Sequence, residues 1–431
     1  MRYPVTALNF KFITADSREC DADCAFLVDW YSKDYVEDAV RRGAAAVLHA
    51  ADLKRYFNTN IPIVGITGTN GKTTTAALIY SLLLDLGFGV AMQGTRGFFL
   101  DGDRIAQKGL TTPMLLENYA RIDEAKRQGA DFFITEVSSH AIAQGRMEGI
   151  NFALKIHTNI TGDHLDFHKT FAEYRAVKNS FFADESPKLI NKDDELVEYN
   201  LKNARTYAVE NSSATFKLEA YTPRGGLSGI IRHADKKAMF KSLLVGRFNL
   251  YNITAGVAAV KMLTNASLET ICGLVENFGG VSGRMEVVSE KPQVVVDFAH
   301  TPDGIEKALR ALHPSRLVVV FGAGGDRDKA KRPLMGGVVA RYAAKIIITT
   351  DNPRSENPAD IIAEIEVGVR GHPNTRIIDD RKKAIETALS TLDEGEILVI
   401  LGKGDETTQI IGDEILPFSD REVVLDFLGR R

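Results

Sequence analysis

The sequence predicts a three-domain α/β protein. It has a small N-terminal α/β domain (residues 1–61), a central P-loop ATPase-like α/β domain (62–283) and a C-terminal Rossmann-like α/β domain (284–431). Three observations lead there. The apolar run Ile61 to Ile66 breaks into the glycine loop Gly68-Thr69-Asn70-Gly71-Lys72-Thr73, and an apolar helical pattern (Ala76, Leu78, Ile79, Leu82, Leu83) follows it. Strand, glycine loop, Lys-Thr and helix form the layout of a phosphate cradle. Beyond residue 284 apolar strands alternate with helical stretches, the pattern of a parallel sheet. Between these regions Gly279-Gly280-Val281-Ser282-Gly283 reads as a hinge.

Composition bounds the class. A chain of 431 residues allows a large core. The net charge is -4, with both signs mixed along the chain, so neither a basic arm for nucleic acid nor an acidic tail is present. Cys20, Cys24 and Cys272 are too few for a disulfide framework, and no His or Cys pairs with the first two at zinc spacing. No charged segment followed by an apolar one opens the chain, and no apolar run approaches the ~20 residues of a membrane span. The expectation is a cytoplasmic enzyme, monomeric, acting on small molecules, without nucleic-acid or membrane partners.

In the first 61 residues, Cys24 to Val28 reads as a strand, Tyr35 to Arg42 as a helix and Ala44 to Leu48 as a second strand, with Asp16-Ser17-Arg18 in a turn. The glycines of the next loop let backbone N–H groups face phosphate oxygens, and the helix behind presents its positive end to the same anion. Lys72 supplies a mobile cation and Thr73 a hydroxyl for Mg²⁺. Thr111-Thr112-Pro113 reads as a helix start, with either threonine as N-cap. Strand Asp131 to Glu136 ends in an acid, and strand Leu154 to Ile160 ends in Thr161-Gly162-Asp163-His164. Ligands of open α/β sheets sit at such carboxyl ends, so Glu136 and His164 are placed to hold a metal beside the loop. Lys178 falls one turn after Tyr174 on the amphipathic helix Phe171 to Phe182, where a snorkelling side chain is the ordinary reading. Residues 186–232 read as irregular strands. Asn249 and Asn252 lead into an alanine-rich helix, Ile253 to Leu263, and either cap it or read a base edge. In the last part the strands ending at Asp297, Phe321, Thr350 and Leu401 all run into polar loops at one sheet edge, which reads as a binding face.

Thr67-Gly68-Thr69-Asn70-Gly71-Lys72-Thr73-Thr74, Glu136-Val137-Ser138-Ser139-His140, Asp163-His164-Leu165-Asp166, Gly283-Arg284-Met285-Glu286, Asp297-Phe298-Ala299-His300-Thr301-Pro302-Asp303 and Asp351-Asn352-Pro353-Arg354 together resemble the Mur ligases. These are ATP-dependent amide-forming enzymes that build the peptide of bacterial cell-wall precursors. The resemblance runs in order along nearly the whole chain and is weakest in residues 1–61 and 186–240. It implies addition of meso-diaminopimelate to UDP-N-acetylmuramoyl-L-alanyl-D-glutamate through an acyl phosphate, with ATP and Mg²⁺. It also implies roles. Ser17 and Arg18 match uridine-side contacts, and Thr111, Thr112, Ser138, Gln144 and Arg146 match contacts to the muramoyl peptide. Gly68, Thr69, Asn70, Gly71, Lys72, Thr73 and Thr74 match the triphosphate loop. Thr73, Glu136 and His164 match Mg²⁺ ligands, and Lys178 matches a lysine carried as a carbamate at the metal. Asn249 and Asn252 match the adenine side, while Arg284, Asp297 and His300 match further ATP contacts. Arg327, Asp351, Asn352, Arg354, Gly402 and Glu406 match the pocket for the incoming amino acid.

Two positions depart from the family pattern: Asp405 stands where His is usual, and Phe298 where Tyr is usual. Two rival readings remain. A related ligase could use another substrate, such as a folate polyglutamate or L-lysine; Asp16-Ser17-Arg18 argues against the first and Asp351-Asn352-Pro353-Arg354 against the second. A non-catalytic nucleotide-binding module is disfavoured by the joint presence of Lys72, Glu136, His164 and Lys178.

Overall fold

The computed structural model describes residues 1–107, 109–223 and 226–429; the side chains of Leu165 and Asp166, quoted above, lie outside the described residues. Three main sheets organise the chain. The N-terminal sheet has four strands in sequence order, Tyr3–Pro4, Phe12–Thr14, Cys24–Leu27 and Ala46–Leu48, parallel except for the first pair. Strand Cys24–Leu27 is buried on both faces. Phe26 packs with Cys20 and Ala39 on one side, while Ala25 and Leu27 join Leu115, Tyr119 and Phe133 on the other. The first sheet therefore shares a core with the second. The three cysteines are buried and free.

The central sheet has eleven strands with a parallel middle. Strand Ile63–Thr67 lies between Leu154–His157 and Phe132–Glu136, in a register that sets Ile66 beside Glu136 and Thr67 beside His157. Three loaded strand ends thus meet at one point. Helix Lys72–Asp85 is apolar nearly all round, the pattern of a helix covered on every side. It packs between the sheet and helix Phe248–Leu263, whose Gly256 lets Leu78 approach until a Cβ there would meet it at 2.7 Å. The irregular-looking region contains strands Lys188–Asn191, Ala204–Ala208, Phe216–Thr222, Leu227–His233 and Lys236–Ser242, which extend this sheet.

The C-terminal sheet runs Glu286–Glu290, Gln293–Asp297, Glu396–Leu401, Arg316–Phe321, Ala343–Ile348 and Thr375–Ile377. All pairings are parallel except the first, and apolar cores line both faces. This is the doubly wound arrangement expected, with one difference: an antiparallel edge strand precedes the alternation. A separate hairpin, Thr408–Ile411 with Glu414–Pro417, follows the last parallel strand.

Two local expectations are corrected. Neither Thr111 nor Thr112 caps a helix. The helix spans Leu115–Arg127 with Met114 before it and no side-chain cap, because the Thr112 hydroxyl is spent on Glu136 O at 2.8 Å. Asn249 and Asn252 are not caps either. The helix begins earlier, at Phe248, and takes both inside it. In the 279–283 stretch Gly283 is required by close approach: a Cβ there would lie 2.0 Å from Asp405 N. Among the described residues no helix is long and apolar enough to cross a membrane.

One ion network carries a stability prediction. Arg332 is fully buried, and its guanidinium donates to Glu356 Oε1 and Oε2, both at 2.9 Å, and to Glu364 Oε2 at 2.8 Å. The hydrogen bond from Arg332 is the main cause that pushes the Glu356 carboxyl from its ordinary 4.5 down to about 2. A depressed carboxyl stabilises the fold above its unfolded value and loses that contribution as pH falls toward its folded value. Glu356→Gln is therefore expected to lower the stability at pH 7 by on the order of 1 kcal/mol after solvent screening, seen as a lower melting temperature. The gap from the unmodified protein should narrow between pH 4.5 and pH 2. Melts of both proteins across that range check it, and a gap independent of pH refutes the assignment.

Candidate active site

The phosphate loop is shaped by what presses on it. Gly68 and Gly71 have φ of +150° and +86°. A Cβ on Gly68 would lie 1.8 Å from Thr158 Oγ1, and one on Gly71 2.4 Å from Asn252 Oδ1. Only glycine meets both demands. The loop is then pinned from the neighbouring strand end. Thr69 N donates to Asn159 O at 2.7 Å, Asn70 N to Asn159 Oδ1 at 3.1 Å, and Thr158 Oγ1 to Asn70 O at 2.7 Å. Lys72 Nζ donates to the carbonyls of Gly68 and Thr69 at 2.8 and 3.0 Å. Burial lowers its pKa, opposed by the charges of Glu136 and Asp163.

Glu136 is buried at the end of its strand. Oε2 accepts from Thr73 Oγ1 at 2.9 Å, and Oε1 accepts from Thr95 N at 2.9 Å. Gly94 makes room: a Cβ there would lie 2.2 Å from Oε1. Thr95 was not foreseen, although it follows a strand end in a Gly-Thr-Arg-Gly turn. His164 has φ +53°, with Nε2 3.4 Å from Asp163 Oδ2. Desolvation pushes its pKa down to about 4 despite the Asp163 charge. A hydroxyl and a carboxylate in contact beside a phosphate loop are the hard oxygen donors Mg²⁺ takes. Among the described residues no three His, Cys, Asp or Glu side chains converge as an all-protein metal cage. The set therefore suits an ion held mainly by phosphate and water. Lys178 lies behind the loop instead of on the cleft wall. It is 1% exposed, and Nζ donates to Gly68 O at 2.8 Å. Burial, reinforced by the Lys72 charge, lowers its pKa well below the usual lysine value.

These groups line a cleft of about 660 Å³ shared by the central and C-terminal sheets. Asn249, Asn252, Arg284, Asp297, His300 and Arg327 line it too. Asn252 Nδ2 donates to Asn249 Oδ1 at 2.7 Å, and Thr75 Oγ1 donates to Asn252 Oδ1 at 3.3 Å. Arg284 stacks on the Phe298 ring at 4.3 Å, a contact any aromatic ring serves, so Phe in place of Tyr preserves it. Asp297 accepts from Met285 N and Ala299 N, both at 2.7 Å, while burial raises its pKa. His300 Nδ1 donates to Phe298 O at 2.9 Å, which leaves Nε2 for the cleft, and burial lowers its pKa.

On the other side of Glu136 a polar cluster connects to the N-terminal sheet. Thr112 Oγ1 accepts from Ser138 N at 3.0 Å, and Thr111 Oγ1 lies 3.2 Å from Thr95 Oγ1. Arg146 is buried, donates to Thr112 O at 2.8 Å and to Gln144 Oε1 at 2.9 Å, and reaches Tyr31 OH at 3.3 Å. Tyr31 was not foreseen; its partner lies 115 residues away. Ser17 is buried beside Asp38, and Arg18 is held by both Asp16 oxygens at 2.9 and 2.7 Å. Neither lines the 660 Å³ cleft.

A second polar pocket sits at the C-terminal sheet edge. Buried Lys403 donates to Asn352 Oδ1 and Glu406 Oε2, both at 2.9 Å, and Asn352 Nδ2 donates to Glu406 Oε2 at 2.8 Å. Both ends of Asn352 are thus used to hold other groups. A Cβ on Gly402 would lie 2.4 Å from Asp351 Oδ2. Arg354 has φ +52° and donates to Gly325 O at 2.8 Å. Its backbone is stitched to the unforeseen hairpin, from Arg354 N to Ile410 O at 3.2 Å and from Gly412 N to Arg354 O at 2.7 Å. Burial and the neighbouring Arg327 charge both lower its pKa.

Residues 66–260 match the Mur ligase middle domain, and residues 283–404 match the Mur ligase, glutamate ligase domain. The chain is 53% identical over 419 residues to the UDP-N-acetylmuramoyl-L-alanyl-D-glutamate--2,6-diaminopimelate ligase of Wolinella succinogenes, covering 97% of this chain and 96% of that one. It is 52% identical over 390 residues to the protein of the same name from Helicobacter pylori, covering 89% and 87%. A solved structure of a ligase with that name is similar with a TM-score of 0.68 and 28% identity, covering 97% of this chain and 94% of that one. Two matched domains in the right order, and relatives above half identity over nearly the whole length, lead to one conclusion: the chain is a member of the Mur ligase family.

Proposed function

We propose that this enzyme uses ATP to join meso-diaminopimelate to the D-glutamyl carboxylate of UDP-N-acetylmuramoyl-L-alanyl-D-glutamate. Residues 1–61 take the UDP end, 62–283 the ATP and 284–431 the amino acid. The observation that carries this reading is the cleft onto which the phosphate loop and the C-terminal strand ends converge, with Arg327 in its wall. The Arg354 guanidinium, lowered by burial and by the neighbouring Arg327 charge, suits a carboxylate ligand. The names of the relatives agree with it.

Lys72 and the N-terminus of helix Lys72–Asp85 neutralise the triphosphate oxygens. Thr73, Glu136 and His164 are the residues that would hold Mg²⁺, which when bound screens the approach of a carboxylate to the γ-phosphate. The substrate carboxylate oxygen forms a bond to the γ-phosphorus as the bond to the bridging oxygen of ADP breaks. The amine of diaminopimelate then bonds to the acyl carbon, phosphate leaves and the amine loses a proton. Asn352 and Lys403 orient the Glu406 carboxylate toward that amine. Lys178 has no ion-pair partner among the described residues and a lowered pKa. A buried amine of this kind, held toward its neutral form, is suited to carbamate formation, which would turn it into an anion; the mass of the peptide carrying Lys178 tests this.

An amino-acid panel with the UDP-linked dipeptide tests the reaction. ADP release and product mass are expected to require both the dipeptide and meso-diaminopimelate. ADP release with neither would sink the reading. Gly94→Ala is expected to displace the Glu136 carboxylate, and such support of a metal ligand commonly affects metal affinity ~10–100-fold. The Mg²⁺ concentration for half-maximal turnover should rise accordingly, and an unchanged value would separate Glu136 from the metal.

A further inference from the structure

We propose that Asp303 is a positioning residue that latches the C-terminal sheet unit onto the phosphate loop while the acyl phosphate waits for its amine. This rests on the function proposed above. One carboxylate oxygen, Asp303 Oδ2, accepts from three donors: Asn70 Nδ2 at 2.8 Å, Thr161 Oγ1 at 3.0 Å and Lys307 Nζ at 2.8 Å. The first two belong to the central sheet unit, 233 and 142 residues away in sequence.

Every partner is preset. Asn70 is clamped through its backbone by Asn159 and Thr158. Thr161 N donates to Thr69 Oγ1 at 2.9 Å, and Thr69 Oγ1 donates to Thr161 O at 3.1 Å. Asp303 lies in the first turn of helix Pro302–Leu312, where Thr301 Oγ1 accepts from Gly304 N at 3.1 Å. A carboxylate there is favoured by the helix dipole. The other end of the same helix makes an apolar contact: Val245 and Phe248 join the C-terminal core, and a Cβ on Gly246 would lie 2.9 Å from Ala311 Cβ. The helix therefore bears on the central unit at both ends. The Asp303 end is charged, part-exposed and beside the phosphate loop, so it is the end that releases. Asn70, Thr161 and Lys307 all line the cleft.

A closed cleft keeps water from the acyl phosphate. With the latch gone, water attacks the acyl carbon, the bond from that carbon to the phosphate oxygen breaks, phosphate leaves, and the carboxylate returns. ATP is then consumed without an amide.

The test measures phosphate released per amide formed in the unmodified enzyme, Asp303→Ala, Asp303→Asn, Thr161→Val and the Asp303→Ala/Thr161→Val double variant. The unmodified enzyme is expected to release one phosphate per amide, and Asp303→Ala several-fold more. Asp303→Asn, which keeps an acceptor, should be partly restored. The double variant should be no worse than Asp303→Ala alone, because both changes break one contact. A ratio of one in Asp303→Ala and in Thr161→Val, or effects that multiply in the double variant, would overturn the latch. Should Asp303→Ala not fold, Thr161→Val, which keeps shape and removes one donor, carries the same test. Small-angle scattering with MgADP reads the latch without turnover: Asp303→Ala should show a larger radius of gyration, and an equal radius counts against it. If the unmodified enzyme forms no diaminopimelate amide, the proposed function fails while the scattering result still decides the latch.

Discussion

Lys72→Ala is expected to give a folded protein that has lost amide formation by roughly 10²–10³-fold, the usual effect of removing one preorganised charge from a transition state. The fold should survive for local reasons. Among the described residues Lys72 Nζ donates hydrogen bonds to the carbonyls of Gly68 and Thr69, and the loop is pinned independently by Thr158 and Asn159. Lys72 is the first residue of its helix, where Ala is a favourable replacement. The loss should fall on turnover because no other cation is placed to follow the outer phosphates from within the loop. A second consequence concerns Lys178. The Lys72 charge helps to lower the Lys178 pKa, so the variant should hold a more basic Lys178. Thermal unfolding and ADP release measured on one preparation check the main result, and near-normal turnover in the folded variant would remove Lys72 from the mechanism.

The second large effect concerns which amino acid is used. The unmodified enzyme is expected to prefer meso-diaminopimelate strongly over L-lysine, and Arg354→Ala is expected to lose most of that preference by using diaminopimelate poorly. The two substrates differ by one carboxylate. A guanidinium takes a carboxylate through two parallel hydrogen bonds. Arg354 is held in a left-handed backbone conformation, stitched to the 408–411 strand on one side and to Gly325 O on the other. Lysine would bring an ammonium toward two arginines that already disfavour each other's charge and would leave them without an anion. Polar discrimination of this type reaches roughly 10⁴-fold. The measurement is the ratio of kcat/KM for the two amino acids in both proteins. Equal use of lysine by the unmodified enzyme, or an unchanged ratio in Arg354→Ala, would place selectivity elsewhere.

Much of the fold is local chemistry and was legible. Gly68 and Gly71 are required by φ and by crowding at their own positions, and a Gly-Lys-Thr turn between an apolar strand and an apolar helix announces both. The four loaded strand ends of the C-terminal sheet follow from parallel alternation, which puts every strand's carboxyl end on one edge. The same rule places Glu136 and His164 at strand ends beside the loop. Thr111 or Thr112 was expected as a cap, and the asparagines at 249 and 252 as caps or as readers of a base edge, because cap chemistry is the commonest local use of those side chains. Their actual partners, the Glu136 carbonyl and each other inside a longer helix, come from tertiary packing.

By itself, then, the sequence determined the layered α/β class, the phosphate loop, the strand-end acids and the run of motifs that places the chain in its family, since periodicity, glycine geometry and strand polarity act over a few residues. Tertiary structure alone decided that Lys178 is buried behind the loop, that Tyr31 meets Arg146, that Lys403 and Asn352 aim Glu406, and that Asp303 reaches Asn70 and Thr161. Each of those depends on strand register and on the packing of one sheet unit against another. Sequence neighbours carry little trace of such contacts, because apart from the Lys403–Glu406 bond the partners lie tens to hundreds of residues away and are chosen by the shape of the whole.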